Sequence, residues 1–263
     1  MNKYSKTYNV IIDNMDINHY RLRPIAAIMY LQDAFARYCA TRRMAAYDLF
    51  ATNQFWVVTE FNMEFFEDLP FWSEDITAEV WISEVSKLKI YMDFKVYYND
   101  KVFTKGNSLW FIIDKITKRP AKTDIVSEKF EINSDLALGE HTKFVLPECG
   151  EKYNEILHTN NLSDLDFNNH VNNKSYINLA EMTIPDDFRE SHALKSLSVK
   201  YCKESYLGDE LSCTTYRTDV KNAYVNKIVK DGATVCEINT EWLEIANQPN
   251  IKDFHLKVRD SIV

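Results

Sequence analysis

The sequence predicts an α+β fold in which one unit, a long helix followed by an antiparallel meander of strands, is used twice. Apolar residues recur at three- and four-residue intervals after Pro24, which is the spacing of an amphipathic helix, and a second helix is expected from about Lys174. Four β-rich runs joined by short turns follow each helix, and such consecutive strands pair antiparallel. Gly (5) and Pro (6) are scarce among 263 residues, which favours large sheets over a loop-rich scaffold.

The first half opens with a predicted strand over residues 4–12 and a polar turn at 13–16. A helix is expected from Pro24 to about Phe50, because Pro24 stands where a first helical turn tolerates proline. Four strands are expected after it, near residues 55–66, 76–83, 89–98 and 101–114.

Residues 119–150 contain prolines and mixed charges and do not continue the pattern of strands, so we interpret them as the connection between the halves. After them the order repeats as a strand, a polar turn, a helix that Pro185 closes and four strands, near residues 153–159, 160–173, 174–183, 194–204, 209–219, 222–231 and 233–245. The predicted domains are therefore 1–125 and 151–263, joined by a connecting segment at 126–150.

Short matches between the halves support the duplication. Asp16-Ile17-Asn18 precedes the first helix as Asp166-Phe167-Asn168 precedes the second. The copies differ just before the helix, where Leu22-Arg23-Pro24 stands in the first half and Asn172-Asn173 in the second. We therefore expect the chemistry in the second half, and a structural role for Asp16, Asn18 and His19.

Composition excludes several classes of function. A formal charge of −8 without a long Lys/Arg run gives no surface for nucleic acid, and no stretch approaches the roughly 20 apolar residues of a membrane span. The polar N-terminus resembles no secretory signal, so a cytoplasmic protein is expected. The odd number of cysteines, without a C-x-x-C pair, argues against a disulfide framework and a zinc site, and predicts free thiols at Cys39, Cys149, Cys202, Cys213 and Cys236. No metal or cofactor is predicted.

The stretch from Asp164 to Tyr176 is the densest in reactive groups, with two carboxylates, four amides and one imidazole just before a helix. An Asx-rich turn with a helix cap would explain such residues taken alone. The motif Asp164-Leu165-Asp166-x-Asn168-x-His170-Val171-Asn172-Asn173-x-x-Tyr176, however, resembles the active-site signature of the plant-type and bacterial acyl-ACP thioesterases. Further matches to that family run nearly end to end, at Trp56-Val57-Val58-Thr59, Trp72, Trp81-Ile82-Ser83, Ser108-Leu109-Trp110, Lys115–Arg119 and Leu197-x-Val199-x-Tyr201-x-Lys203-Glu204.

The resemblance implies a tandem, or double, hot-dog fold, in which each half is a long central helix wrapped by an antiparallel sheet. It also implies an enzyme that hydrolyses fatty acyl-ACP to free fatty acid and places the reactive groups on Asp166, Asn168, His170 and Glu204. One position departs from the family pattern. Ser205 stands where the plant enzymes have a cysteine directly after the glutamate, so a covalent cysteine mechanism is not expected.

The residue types suit hydrolysis by an activated water. Glu204 or Asp166 can act as the base if an acyl pocket desolvates it, and an imidazole such as His170 titrates near neutral pH and can relay a proton. We favour Glu204 and His170 as the pair that positions the water, with Asp166 and Asn168 holding the geometry. The free N–H groups of the following helix, capped by Asn172 or Asn173, can stabilise the oxyanion together with the Asn168 amide.

The residues that contact the substrate are less directly indicated by the sequence. Apolar residues of the first half are candidates for contact with an acyl chain, although an apolar stripe on a helix or strand is more commonly part of the hydrophobic core. These candidates are Met29, Phe35, Trp56, Phe61, Met63, Trp110 and Ile112. Acyl carrier protein is the expected partner. Because the carrier is acidic, we expect basic residues at the entrance of the acyl-binding site, and the candidates are Lys115, Lys118, Arg119, Lys200 and Lys203. An acyl-CoA thioesterase, a non-catalytic acyl-binding protein and a hydratase on the same fold remain alternatives. Monomer and homodimer are both compatible with the sequence.

Overall fold

The computed structural model describes residues 2–16, 21–66 and 69–245. The chain divides into two compact units. Unit 1 comprises Met1–Asn14 and Ala26–Lys143, and unit 2 comprises Met15–Ile25 and Phe144–Val263. A short segment before the first helix therefore packs with the second half of the chain, and the residues after the first sheet, up to Lys143, pack with the first half.

Unit 1 contains one antiparallel sheet and the first long helix. The strands are β1 (Tyr4–Asn9), β2 (Gln54–Phe65), β3 (Asp75–Val85), β4 (Ile90–Tyr98) and β5 (Lys101–Asp114), and the helices are α1 (Pro24–Thr41), α2 (Ala46–Phe50) and α3 (Asp124–Lys129). The strands are ordered β1-β3-β4-β5-β2, and every pair is antiparallel. In α1, Ile28 and Leu31 are buried at one-turn spacing, and complete burial of such a side chain stabilises the fold by about 1.5–3 kcal/mol.

The predicted single helix from Pro24 to Phe50 is wrong at residues 42–45. Arg43 adopts a left-handed backbone (φ 53°), the Arg43 N–H donates to the Ala40 carbonyl and the Met44 N–H to the Cys39 carbonyl. This is the Schellman pattern that ends a helix, here without the glycine that usually marks it. The Asp48 carboxylate then accepts from the Ala45 N–H at 2.9 Å and starts α2.

Unit 2 repeats the architecture of unit 1. Its strands are β6 (Lys152–Thr159), β7 (His192–Tyr201), β8 (Glu210–Arg217), β9 (Ala223–Lys230) and β10 (Ala233–Glu244), and its helices are α4 (Asn173–Met182) and α5 (Asp186–Ser191). The strand order β6-β8-β9-β10-β7 matches that of unit 1 position for position. The fold is therefore a tandem of two units, each with a central helix against an antiparallel sheet, as the sequence predicted.

The loops before the two long helices also correspond. Isolated bridges join Met15 to Leu22 and Leu165 to Val171. The Asp16 N–H donates to the Arg21 carbonyl at 2.7 Å, and the Asp166 N–H to the His170 carbonyl at 2.8 Å. Asp16 and Asp166 thus occupy equivalent loop positions, as their sequence match suggested. Asn18 and His19 lie outside the described residues.

The segment after α3 lies across one face of the unit 1 sheet, and we call residues 133–142 the strap. Four neighbouring side chains on adjacent strands bond to its backbone. The Trp81 indole donates to the Asp135 carbonyl at 2.8 Å and the Asn107 amide to the Glu140 carbonyl at 3.1 Å. The Asn62 amide donates to the Thr142 carbonyl at 3.0 Å, and the Asp93 carboxylate accepts from the Ala137 N–H at 2.7 Å. A row of buried polar groups therefore fixes this segment to unit 1.

No helix in the described ranges is long and apolar enough to cross a membrane. All five cysteines are free thiols; Cys39, Cys213 and Cys236 are buried, and burial raises the pKa of Cys213 to about 12. Cys202 is exposed. Between residues 2 and 245, leaving out 17–20 and 67–68, no three His, Cys, Asp or Glu side chains are grouped so as to hold a metal ion.

Candidate active site

The loop from Asp164 to Asn172 is organised around the Asp166 carboxylate. Its Oδ1 accepts from the N–H of Asn168 at 2.8 Å and from the N–H of His170 at 3.3 Å, and Oδ2 lies 3.4 Å from the Asn168 side-chain nitrogen. Asn169 takes the left-handed backbone (φ 63°) that closes the turn. Since local N–H groups occupy its oxygens, Asp166 is placed to hold the loop, and it brings Asn168 and His170 together.

The loop leads directly into the N-terminus of α4, which Asn172 caps. Its side-chain oxygen accepts from the Lys174 N–H at 3.0 Å, and its carbonyl accepts from the Ser175 N–H at 2.8 Å. These bonds satisfy two of the helix donors that the sequence suggested for an oxyanion. The first helical amide, that of Asn173, and the Asn168 side chain are the remaining candidates for that role.

Glu204 lies in an extended segment just after β7, close to the motif loop. The Val171 N–H donates to the Ser205 carbonyl at 2.9 Å and joins the two segments. His170 Nδ1 then lies 3.8 Å from Glu204 Oε1. This distance is too long for a direct hydrogen bond, but it suits two groups that share one water molecule. The structure therefore brings together all four side chains that the sequence selected.

Both members of this pair are accessible. The His170 side chain is 34 % exposed and that of Glu204 is 45 % exposed. The sequence argument had a carboxylate drawn into an apolar pocket, and Glu204 is not buried in this way. Its predicted role as the base therefore depends on its position beside His170.

Ser205 points the opposite way from its neighbours. It is fully buried, whereas Glu204 and Tyr206 on either side of it are exposed. Its surroundings include the buried phenol of Tyr176, whose pKa burial raises to about 12. A fully buried hydroxyl in this position is not placed to contact a substrate.

Two residues of the site were missed by the sequence analysis. The Tyr206 hydroxyl donates to Glu204 Oε2 at 2.9 Å, and its ring meets the His170 ring edge-on, with centroids 5.2 Å apart. His158, on β6, lies with its Nε2 2.8 Å from Asp164 Oδ2 and supports the start of the loop. Tyr206 could have been found from its position, since residues two apart in an extended segment face the same side. No sequence signal pointed to His158.

The residues predicted to contact an acyl chain include a compact aromatic cluster in unit 1. Phe35 packs on Trp110 with ring centroids 4.6 Å apart and on Trp56 at 5.5 Å. The indoles of the two tryptophans donate to the Met44 carbonyl and the Ser108 hydroxyl. These contacts are those of a core, and a role in chain binding stays a prediction. The proposed basic contacts are exposed at Lys115, Lys118, Arg119, Lys200 and Lys203.

Comparison with known proteins gives a consistent result. Residues 1–129 match the model of the acyl-ACP thioesterase N-terminal domain, and residues 149–244 match that of the C-terminal domain. The chain is 27 % identical to a chloroplastic palmitoyl-acyl carrier protein thioesterase of Arabidopsis thaliana, over 74 % of this chain and 52 % of that protein. The chain spans about half the length of several such curated relatives.

Solved structures share the fold. An acyl-ACP thioesterase from Bacteroides thetaiotaomicron superposes with a TM-score of 0.82 at 22 % identity, covering 92 % of this chain and 98 % of the other. The 12:0-ACP thioesterase from Umbellularia californica gives a TM-score of 0.81 at 20 % identity, with the same coverage of 92 % and 98 %. These likenesses confirm the predicted double hot-dog fold. The chain belongs to the acyl-ACP thioesterase family.

Proposed function

We propose that the protein hydrolyses the thioester of a fatty acyl group carried by acyl carrier protein, releasing the free fatty acid and the carrier thiol. One observation carries the proposal: His170 Nδ1 and Glu204 Oε1 lie 3.8 Å apart, both accessible, beside the N-terminus of α4. Family membership and the names of the relatives support the reaction and the carrier.

In the proposed mechanism, Glu204 and His170 hold and deprotonate one water molecule. Its oxygen bonds to the thioester carbonyl carbon, and the negative charge that develops on the carbonyl oxygen is stabilised by the Asn173 N–H and the Asn168 side-chain amide. The C–S bond then breaks, and the proton taken from the water passes to the leaving thiolate. Asp166 acts by holding the loop that carries Asn168 and His170.

We assign hydrolysis to the second half of the chain and acyl-chain binding to the first. The second half carries the four candidate residues, whereas the loop before α1 has Leu22-Arg23-Pro24 in place of the asparagine cap. The exposed lysines and arginine named above are candidates for contact with the acidic carrier. The cytoplasmic location expected from the sequence stays a prediction.

Substitution of Glu204 tests the mechanism. Glu204→Gln keeps the shape of the side chain and removes the base, so we expect kcat for an acyl-ACP to fall by at least about 100-fold. Glu210→Gln, at an exposed position at the start of β8, is the matched control and should retain activity. A fully active Glu204→Gln variant would refute the proposed base and favour another mechanism, whereas no hydrolysis by the wild type would favour a binding protein.

The carrier is tested with one acyl group attached either to acyl carrier protein or to CoA. We expect the higher kcat/KM with the protein carrier. A strong preference for CoA would make the chain an acyl-CoA thioesterase while leaving the roles of Glu204 and His170 intact. The same assay across chain lengths defines the acyl preference, which depends on the side chains that close the binding site.

A further inference from the structure

Tyr206 contacts both members of the proposed water-binding pair. Its hydroxyl donates to Glu204 Oε2 at 2.9 Å, and its ring stands nearly perpendicular to the His170 imidazole, at an interplanar angle of 81°. The other carboxylate oxygen, Glu204 Oε1, is the one that faces His170 Nδ1. The two oxygens of Glu204 are therefore divided between Tyr206 and the imidazole.

The backbone of Tyr206 is fixed by hydrogen bonds on both sides. Its N–H donates to the Asp209 carboxylate at 2.8 Å, and its carbonyl accepts from the Asn160 side chain at 3.0 Å and from the Asp209 N–H at 3.2 Å. The turn closes at Gly208, whose φ of 80° favours glycine. Asp209 is in turn paired with Lys230. The phenol thus projects from a rigid turn, although the side chain itself is exposed.

The charges around Tyr206 keep its hydroxyl a donor. The hydrogen bond to the Glu204 carboxylate raises the pKa of Tyr206, so the phenol stays protonated at neutral and mildly alkaline pH. The Lys230 ammonium lies 5.7 Å from the ring centroid. A neutral donor on a rigid turn restricts a free carboxylate to one orientation, and positioned groups of this kind preserve the geometry that a reaction needs.

Resting on the proposed function, we infer that Tyr206 is a positioning residue of the hydrolytic site. Its hydroxyl orients the Glu204 carboxylate, and its ring limits the rotation of the His170 imidazole, so that Oε1 and Nδ1 face the same water molecule. Tyr206 does not touch the reacting atoms. It acts through Glu204 and His170, and none of the motif matches to the family pointed to it.

The chain offers a matched control for the test. Tyr216, also in unit 2, has a lysine ammonium over its ring at 5.9 Å, as Tyr206 does at 5.7 Å. Within the described part of the chain, its hydroxyl makes no hydrogen bond to a carboxylate. Tyr206→Phe and Tyr216→Phe each remove one hydroxyl from an aromatic ring that faces a lysine, but only the first frees a catalytic carboxylate.

Steady-state kinetics over a range of pH form the experiment. For Tyr206→Phe we expect kcat about 10-fold lower, with KM for the acyl-ACP unchanged within about twofold. The acid limb of the pH–rate profile should differ from that of the wild type, because Glu204 loses its hydrogen bond from the Tyr206 hydroxyl. Tyr206→Leu also removes the ring beside His170 and should lower kcat further. Tyr216→Phe should match the wild type in all three measures.

Two results would overturn the inference. In the first, Tyr206→Phe and Tyr216→Phe have the same kcat and the same pH profile, while Glu204→Gln is inactive. The proposed mechanism would then stand, and Tyr206 would have no part in it. In the second, KM rises and kcat does not change, which would make Tyr206 a substrate contact. An active Glu204→Gln variant in the same series would instead refute the role of Glu204 in the proposed mechanism, and the inference would fall with it, whereas no hydrolysis by the wild type would refute the proposed function.

Discussion

The two units each contain a cluster of a histidine and carboxylates, and the clusters differ in accessibility. In unit 1, His141 Nε2 lies 2.9 Å from the Ser83 hydroxyl and 3.7 Å from Asp93 Oδ2, and His141 Nδ1 lies 3.3 Å from Glu84. The imidazole stacks on Tyr91 with ring centroids 4.1 Å apart. In unit 2, His170 and Glu204 approach no closer than 3.8 Å.

The comparison shows that the residue types of a cluster do not by themselves make it a catalytic site. A serine, a histidine and a carboxylate within reach of one another have the composition of a hydrolytic triad. Ser83, however, is buried on β3 beneath the strap, and Asp93 is completely buried with the Ala137 N–H bound to it. The unit 1 cluster fixes the strap, whereas the two side chains of the unit 2 cluster remain exposed to solvent.

Parallel substitution of His170 and His141 is the most direct test of the difference between the two clusters. His170→Gln should lower kcat by at least about 100-fold and leave the free energy of unfolding within about 0.5 kcal/mol. His141→Gln should do the reverse: it loses the stacking on Tyr91 and lowers stability by about 1–2 kcal/mol, with kcat within about twofold. Urea unfolding and acyl-ACP hydrolysis measure both.

An inactive but fully stable His141→Gln variant would contradict the assignment, because it would give the unit 1 cluster a chemical role. Equal loss of stability in both variants would show that the unit 2 cluster is also structural.

Substitution of Asp93 is expected to have the next largest effect, on the free energy of unfolding. Asp93→Ala leaves the Ala137 N–H without its acceptor beneath the strap, so we expect the free energy of unfolding to fall by about 1–3 kcal/mol. Activity at temperatures well below the unfolding midpoint should be retained. Urea unfolding at neutral pH measures the change.

Asp93→Asn is the matched control, since it keeps an acceptor and does not titrate. Burial raises the pKa of Asp93 above its value in the unfolded chain, where His141 and Asp135 are no longer its neighbours. The folded state therefore binds the extra proton, and the wild type loses stability relative to the Asn variant as pH rises through that raised pKa. A difference between the two that does not vary with pH would contradict this reading.

The fold was largely accessible from the sequence because the signals are local. Strand β5 was predicted to the residue, since a β-rich run marks it, and α4 was predicted within one residue, since an asparagine cap precedes it. The break after Thr41 was missed because Arg43, and not a glycine, takes the left-handed position. The strap was interpreted as a plain connection because its hydrogen bonds come from side chains on four strands that are far from it in the sequence.

The site was predictable only in part. Asp166, Asn168 and His170 lie within five residues, so one motif reveals them, whereas Glu204 required the resemblance to a family. The two-residue spacing from Glu204 is a local signal for Tyr206, but its contact with His170 depends on how residues 202–209 pair with the motif loop, and nothing local in the sequence specifies that pairing. The exposure of Glu204 likewise follows from tertiary contacts and not from its neighbours in the chain.

The smallest expected effect concerns Ser205, the position at which the sequence departs from the expected family pattern. Ser205→Ala and Ser205→Cys should both keep kcat within about threefold, because the side chain is fully buried and faces away from Glu204 and Tyr206. To expose a nucleophile there, the segment would have to rotate, and this would break the Val171 hydrogen bond to its carbonyl and the Tyr206 hydrogen bond to Glu204. A loss of about 1000-fold in Ser205→Ala, rescued by Ser205→Cys, would show that the segment does turn and that the water mechanism is wrong.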